Sequence, residues 1–257
     1  MCRHLGYLGT AVPVASLIAD PPHSLVHQSY APADMRGGGS VNVDGFGVGW
    51  YPAPGSAAVR YRRTGPIWAD ANLEAVTRAS TSGAVLAAVR SGTVGMPLVE
   101  TACAPFTDGR WLFSHNGRIA DWPGSVADLA KALPVTDLLT LDAPTDSALL
   151  WALVRTRLAA GDHPAAALAA VVSDVAATAP GSRLNLLLTN GTVLVGTTWT
   201  HSLWVLSTPD SVALASEPWD ADERWREIPD GSVVAVSAHP STVDIRPIGP
   251  RGRTGNP

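Results

Sequence analysis

Segments with a strand-like pattern occupy both ends of the chain, and a helical block separates them. The block covers residues 147–160, where Leu150, Val154 and Leu158 recur at helical spacing, and the Ala-rich residues 164–177. Before it, strands are predicted at residues 5–10, 45–51, 58–62, 84–89 and 110–114, with a short helix at 70–78. After it, strands are predicted at residues 184–188, 192–198, 203–206, 212–215, 233–236 and 243–248. This order predicts an α+β fold of two stacked, mainly antiparallel sheets with helices on the outer sides.

No linker-like stretch or internal repeat interrupts the pattern. A chain of 257 residues is long enough to bury one sizeable core. We therefore expect a single domain over residues 2–248. Residues 249–257 are rich in Gly, Pro and Arg, which predicts a disordered tail.

The composition disfavours several classes of protein. A net charge of -4 argues against nucleic acid as a partner, because phosphate binding needs clustered Lys and Arg. No apolar run approaches the ~20 residues of a membrane-spanning helix, and Gly6, Gly9 and Pro13 interrupt the N-terminal stretch that resembles a signal peptide. Cys2 and Cys103 form neither a disulfide framework nor a paired-cysteine zinc motif. We expect a cytoplasmic protein with free thiols and no membrane partner, and the sequence leaves open whether it forms a homo-oligomer.

Cys2 is the first candidate for chemistry. If Met1 is removed, Cys2 carries both a thiol and a free α-amine. An ordinary α-amine titrates near ~8 and an ordinary thiol near ~8.5, so one residue can supply nucleophile and base together. Taken alone, however, Cys2 is better explained as a small apolar residue at the end of a strand.

The dipeptide Asn116-Gly117 is the second candidate. Its backbone and side-chain N–H groups can converge on a developing oxyanion, and glycine lets a substrate carbonyl approach the backbone. The alternative is an ordinary turn after the strand that ends at Ser114, and this explanation is favoured for the dipeptide alone.

Two charged residues stand at the ends of predicted elements. Arg90 ends an apolar strand, where it either reaches solvent or binds an anion such as a carboxylate, and the two readings are equally supported. Asp146 stands at a predicted helix start, which alone favours capping or a first-turn charge over binding of an ammonium group. His4 and His115 lack the spacing of metal ligands, so no metal site is expected.

The order of these motifs is more informative than any one of them. Along the chain follow Met1-Cys2, NVDGFG at 42–47, RSGT at 90–93, SHNG at 114–117, TDS at 145–147 and ASE at 215–217. In these motifs the chain resembles the class II glutamine amidotransferase family of N-terminal nucleophile hydrolases. The resemblance covers nearly the whole chain apart from the tail. It is strongest with a standalone branch that hydrolyses γ-glutamyl amides, through the phrases CRHLGYLG, QSYAP, AAVRSGTVGMP, APFTDGRWLFSHNG, SRLNLL and LASEPWD.

The resemblance implies a four-layer αββα fold that needs neither a metal nor an organic cofactor. It implies that Cys2 attacks the γ-carbonyl of a small-molecule γ-glutamyl substrate while its own α-amine relays the proton. It also implies that Asn116 and Gly117 hold the oxyanion.

The same resemblance implies a site for the amino-acid end of the glutamyl group. Arg90 is expected to bind its α-carboxylate and Asp146 its α-ammonium, with Thr93 helping to line the site. Substrates of the standalone branch carry a quaternary ammonium on the leaving part, which an aromatic face or a nearby carboxylate can stabilise. Candidates for that contact are Trp50, Trp68 and Trp219.

The chain departs from the family pattern at several positions. Arg3 stands where many members carry glycine, and Gly92 and Val94 replace bulkier or polar residues. The resemblance gives Glu217 no catalytic role, so we expect a structural one.

The family domain accounts for nearly the whole chain, which leaves no room for an ammonia-acceptor domain. Simple hydrolysis is therefore the favoured interpretation. Two alternatives stay open: a glutaminase subunit that feeds ammonia to a separate synthetase, and a catalytically silent binding protein of the same fold.

Overall fold

The computed structural model describes residues 2–36, 41–238 and 241–249, so the predicted tail lies outside these ranges apart from Gly249. The strands are β1 (Arg3–Pro13), β2 (Phe46–Trp50), β3 (Val59–Arg63), β4 (Thr81–Val89), β5 (Phe106–Thr107), β6 (Leu112–Arg118), β7 (Arg183–Thr189), β8 (Val193–Thr198), β9 (Trp204–Ser207), β10 (Ser211–Ala215), β11 (Arg226–Glu227), β12 (Ser232–Ala238) and β13 (Ser241–Pro247). The helices are α1 (Ala15–Ile18), α2 (Leu25–Gln28), α3 (Leu73–Ala79), α4 (Ala127–Lys131), α5 (Val135–Leu139), α6 (Asp146–Ala159) and α7 (Pro164–Thr178). None of these helices is both long and apolar enough to cross a membrane.

The described strands form two sheets, and their pairings are antiparallel. The first sheet has seven strands in the order β11-β9-β10-β1-β4-β2-β3. It places β1, which begins directly after Cys2, in the middle of the sheet. The second sheet has six strands in the order β13-β12-β8-β7-β6-β5.

The sheets stack face to face over a shared apolar layer. Along β4, Ala84 and Leu86 belong to this layer, whereas Val85, Ala87 and Val89 belong to the opposite face, as the two-residue period of a strand requires. That opposite face packs against α1, α2 and α3, and the outer face of the second sheet packs against α6 and α7. The four layers confirm the predicted αββα architecture.

The prediction for the end of β6 was wrong. The strand was expected to stop at Ser114 before a turn at Asn116-Gly117, but it continues to Arg118. Asn116 and Gly117 instead pair with β7 of the same sheet. Pairing with a neighbouring strand therefore overrides the local turn preference of this dipeptide.

Candidate active site

Cys2 lies beside the residues that follow β4. Because β1 and β4 are antiparallel neighbours, with Arg3 opposite Val89, the start of one strand meets the end of the other. The Cys2 Sγ accepts a hydrogen bond from the Ser91 N–H at 3.5 Å and donates to the Ser91 carbonyl at 3.7 Å. Strand register thus brings the thiol next to the RSGT motif.

Cys2 lines a cavity that collects side chains from both sheets and from the start of α6. The polar or charged residues of its wall are Cys2, Arg90, Ser91, Thr93, His115, Thr145, Asp146 and Ser147, together with Gly117. The apolar residues of the wall are Phe46, Ala88, Val89, Met96, Ala102, Ala104 and Phe106. The cavity therefore includes all the predicted site residues except Asn116.

Arg90 contributes a positive charge to this wall. Its backbone N–H donates to the Gly45 carbonyl at 2.7 Å, and its Nη1 lies 3.5 Å from the Asp44 carbonyl, which it can donate to. Asp44 in turn accepts a hydrogen bond from the Gly92 N–H at 2.7 Å, which holds the loop after β4. Among the residues that the structure describes, no carboxylate forms an ion pair with Arg90. Of the two interpretations left open by the sequence, this geometry favours anion binding.

Asp146 contributes a negative charge at the first turn of α6. Thr145 is the N-cap of this helix, because its hydroxyl accepts a hydrogen bond from the Ala148 N–H at 3.3 Å. The Asp146 carboxylate is 3% exposed and accepts from the Ser147 N–H at 2.7 Å and the Ile119 N–H at 3.0 Å. The N-terminus of the helix also stabilises this charge. Thr145 serves as the cap of the helix, so the Asp146 carboxylate is not needed for capping. The two N–H groups hold it at the cavity wall.

Gly117 sits where only glycine fits. A Cβ at this position would lie 1.9 Å from the Arg183 carbonyl oxygen on the neighbouring strand β7. Gly117 also lines the cavity, and the absence of a Cβ lets a ligand approach its backbone closely. Next to it, His115 holds Ser147 in place: its Nδ1 is hydrogen-bonded to the Ser147 hydroxyl at 3.0 Å, while its Nε2 donates to the Arg183 carbonyl at 2.9 Å.

Asn116 is not one of the residues that line the cavity, and its side chain lies on the face of β6 between the two sheets. Its side chain is 1% exposed, and its Nδ2 donates to the Ser216 hydroxyl at 3.3 Å. The same hydroxyl accepts from the His4 N–H at 3.0 Å, which ties Asn116 to the start of β1. A side-chain amide has two N–H groups, so this contact leaves one for another acceptor.

His4 and His201 are two further buried histidines, and the sequence analysis gave neither a role. Burial, helped by nearby positive groups, lowers the pKa of His4 to about 3, and burial likewise lowers the pKa of His201 to about 3. Both rings are therefore neutral at neutral pH. The Nδ1 of His4 is hydrogen-bonded to the Ser114 hydroxyl at 2.8 Å. Strand alternation in SHNG, which places Ser114 and Asn116 on one face, could have indicated this cluster.

The second cysteine, Cys103, is not one of the residues that line the cavity. Cys103 is fully buried, and burial raises the pKa of its thiol. Within the described ranges, no group of three or more His, Cys, Asp or Glu side chains could hold a metal ion.

Residues 16–210 match the family model of the class-II glutamine amidotransferases. The chain belongs to the class II glutamine amidotransferase family. The matched segment contains Arg90, Asn116, Gly117 and Asp146, and it begins after Cys2.

Similar proteins extend the match across nearly the whole chain. A gamma-glutamyl-hercynylcysteine sulfoxide hydrolase of Mycolicibacterium smegmatis is 42% identical over 236 residues, covering 92% of this chain and 96% of the relative. A protein of the same name from Mycobacterium tuberculosis is 42% identical over 253 residues, covering 98% of this chain and 100% of the relative.

Solved structures show the same fold. A glutamine aminotransferase class-II domain protein from Silicibacter pomeroyi superposes with a TM-score of 0.68 at 24% identity, covering 97% of this chain and 100% of that one. The glutamine phosphoribosylpyrophosphate amidotransferase of B. subtilis superposes with a TM-score of 0.60 at 13% identity, covering 95% of this chain and 49% of that one.

Proposed function

We propose that this protein hydrolyses γ-glutamyl-hercynylcysteine sulfoxide to glutamate and hercynylcysteine sulfoxide, a step of ergothioneine biosynthesis. The observation that carries the proposal is the cavity in which the Cys2 thiol lies together with Arg90 and Asp146. One positive and one negative group match the α-carboxylate and α-ammonium of a glutamyl substrate. The identity of the leaving amine is supported by the names of relatives at 42% identity.

The nucleophile is the thiol of Cys2 after removal of Met1. Removal frees the α-amine of Cys2, which in its neutral form can accept the thiol proton. The thiolate then attacks the γ-carbonyl carbon, forming a C–S bond and placing a negative charge on the carbonyl oxygen.

The oxyanion is stabilised by two N–H donors that belong to neighbouring residues. The Gly117 backbone N–H lies at the cavity wall, and the Asn116 amide has one N–H beyond the one that contacts Ser216. As the intermediate collapses, the C–N bond breaks and the α-ammonium of Cys2 donates its proton to the leaving amine. The glutamyl group remains on Cys2 as a thioester.

Water completes the reaction. The α-amine of Cys2 takes a proton from a water molecule, whose oxygen attacks the thioester carbon in the same oxyanion site. The C–S bond breaks, the proton returns to the thiol, and glutamate leaves. Arg90 and Asp146 hold the same end of the substrate through both half-reactions.

The structure narrows the candidates for contact with the quaternary ammonium of the leaving part. Trp50 and Trp219 are buried in the core, with 8% and 7% exposure. Trp68 is 42% exposed and lies edge-to-face with Tyr30, at a distance of 5.4 Å between ring centroids. Of the three tryptophans, Trp68 therefore has the face available to a cation.

The proposal is tested with untagged protein and the Cys2→Ala variant, each incubated with γ-glutamyl-hercynylcysteine sulfoxide and separately with glutamine. Released glutamate is the readout. We expect fast release from the sulfoxide, slow release from glutamine and none from the variant. Fast release from glutamine alone would contradict the proposal and point to an ammonia-donating subunit. No release from either substrate would point to a silent binding protein.

A further inference from the structure

Arg3, the residue after the proposed nucleophile, is almost completely buried, with 3% of its side chain exposed. Its Nη1 donates a hydrogen bond to the Cys2 carbonyl at 3.2 Å, and its Nη2 donates to the Asp34 carbonyl. Its Nε lies 2.8 Å from Oε1 of Glu217. The two atoms form an ion pair, but their geometry is not that of a hydrogen bond. One guanidinium thus connects the backbone of Cys2 to two segments that are distant in sequence.

Glu217 is the negatively charged partner of Arg3, and its side chain is equally buried, with 3% exposed. Its Oε2 accepts hydrogen bonds from the Ala33 N–H and from His23 Nε2, each at 2.8 Å. The carboxylate therefore fixes the backbone at residues 33–34, which Arg3 also contacts. The Arg3–Glu217 pair holds this segment against the start of β1.

Stability alone is a poor explanation for such a pair. Removing two charges from water carries a large desolvation penalty, and well-packed apolar residues often stabilise a fold as well or better. The contact of Arg3 with the Cys2 carbonyl suggests a different role.

We propose that Arg3 and Glu217 are positioning residues that orient Cys2 for attack, an inference that rests on the proposed function of Cys2 as nucleophile. Once Met1 is removed, no preceding peptide unit restrains Cys2. The hydrogen bond from Arg3 to the Cys2 carbonyl then fixes the plane of the peptide that links the two residues. Fixing this plane sets where the α-amine and the thiol of Cys2 stand relative to the cavity.

Glu217 acts through Arg3. Its carboxylate lies on Nε while Nη1 and Nη2 contact the two carbonyls, so the guanidinium cannot rotate without losing a partner. Lysine has one compact ammonium in place of this planar fork and cannot serve three acceptors in the same arrangement.

The test compares three variants with the wild-type protein: Arg3→Lys, Glu217→Gln, and the double variant Arg3→Met with Glu217→Met. Thermal unfolding first identifies the variants that fold. In each folded variant we expect kcat for glutamate release to fall by roughly tenfold or more, because misplacement of reacting groups by about 1 Å is costly. KM should stay within about twofold, because Arg90 and Asp146 still bind the glutamyl group. A folded variant with wild-type kcat would overturn the proposal.

A second readout does not depend on the natural substrate. Diazo-oxo-norleucine, a glutamine-like electrophile, alkylates an active nucleophile, and its maximal inactivation rate at saturation should fall together with kcat. If the wild-type protein reacts with this probe but does not hydrolyse the sulfoxide, the proposed substrate is wrong, and slower alkylation in the variants still supports the positioning role. If the wild-type protein hydrolyses the sulfoxide and the variants are alkylated at the wild-type rate, the positioning role is wrong.

Arg78→Met is the matched control. It removes two exposed ion pairs far along the chain from Cys2: Nη2 lies 2.9 Å from Asp20 Oδ1, and Nε lies 2.9 Å from Glu74 Oε1. We expect kcat, KM and the alkylation rate of this variant to match those of the wild-type protein, because exposed pairs contribute little.

Discussion

Arg90 and Asp146 line one cavity beside Cys2, yet their side chains form no ion pair with each other. Arg90 follows β4 of the first sheet, and Asp146 begins α6 on the outer side of the second sheet. The Asp146 carboxylate is held instead by the N–H groups of Ile119 and Ser147. Two opposite charges kept apart in this way mark the two ends at which an amino-acid ligand can be held.

Removing the charge of Arg90 should weaken substrate binding without slowing the chemistry. We expect Arg90→Met to raise KM by about 10- to 100-fold, because a charge-assisted contact to the α-carboxylate is lost, while kcat changes little. The melting temperature should hardly change, because Arg90 forms no ion pair with any described carboxylate. Initial rates of glutamate release measure KM. The control is Arg110→Met, which changes an exposed arginine just before β6, at the end of the strand away from Gly117. An unchanged KM in Arg90→Met would remove Arg90 from the site.

Losing the side-chain donor of the oxyanion site should affect turnover. We expect Asn116→Ala to lower kcat by about 10²–10³, a severe loss but smaller than that of Cys2→Ala. The reason is that the Gly117 N–H still stabilises the oxyanion. Steady-state kinetics of both variants in parallel give the comparison. A decrease in kcat below about threefold for Asn116→Ala would show that this amide does not reach the oxyanion.

A side chain at position 117 should damage both stability and activity. In Gly117→Ala the new Cβ would meet the Arg183 carbonyl at 1.9 Å, so β6 and β7 must separate locally. We expect a lower melting temperature and a loss of glutamate release. Gly124→Ala is the control, because a Cβ there meets nothing within 4 Å. A Gly117→Ala protein as stable and active as Gly124→Ala would contradict the strand pairing described here.

The buried histidines predict how stability depends on pH. Burial lowers the pKa of His4 and of His201 from 6.5 to about 3. Between these values the unfolded chain binds protons that the folded protein does not, so the free energy of unfolding should be constant above about pH 6.5 and fall as the pH decreases. In His201→Leu this decrease should be smaller, since one of the two groups is gone.

Urea unfolding between about pH 7.5 and about pH 4.5 measures this difference. Leucine suits the test because neither ring nitrogen of His201 has a hydrogen-bond partner among the described residues. His163→Asn is the control, because His163 is an exposed helix N-cap and asparagine keeps the capping acceptor. Equal pH dependence in wild type and His201→Leu would show that His201 does not titrate in this way.

The sequence predicts the longer elements well because their hydrophobic period is repeated several times. Helices α6 and α7 and the hairpin of β7 and β8 lie within a few residues of the predicted positions. The short helices α1, α2, α4 and α5 were missed, because four or five residues are too few to show a hydrophobic period. At β6, the turn preference of Asn116-Gly117 led to a wrong strand end. The pairing of Asn116 with β7 cannot be inferred from the neighbouring residues.

The residues of the site, like the helices and strands, were predicted only in part from the sequence. The resemblance named Cys2, Arg90, Thr93 and Asp146, and the register of β1 against β4 explains why Cys2 lies beside Arg90 and Thr93. The ion pair between Arg3 and Glu217 could not be predicted, because it depends on a contact between the start of β1 and the segment after β10.

Reaction of Cys2 with a glutamine-like electrophile tests the central claim most directly. Untagged protein is treated with diazo-oxo-norleucine, and intact mass and peptide mapping then locate the adduct. The account predicts a chain that lacks Met1 and carries one adduct, on Cys2, with complete loss of glutamate release. An adduct confined to Cys103, or glutamate release that persists with Cys2 fully modified, would contradict it.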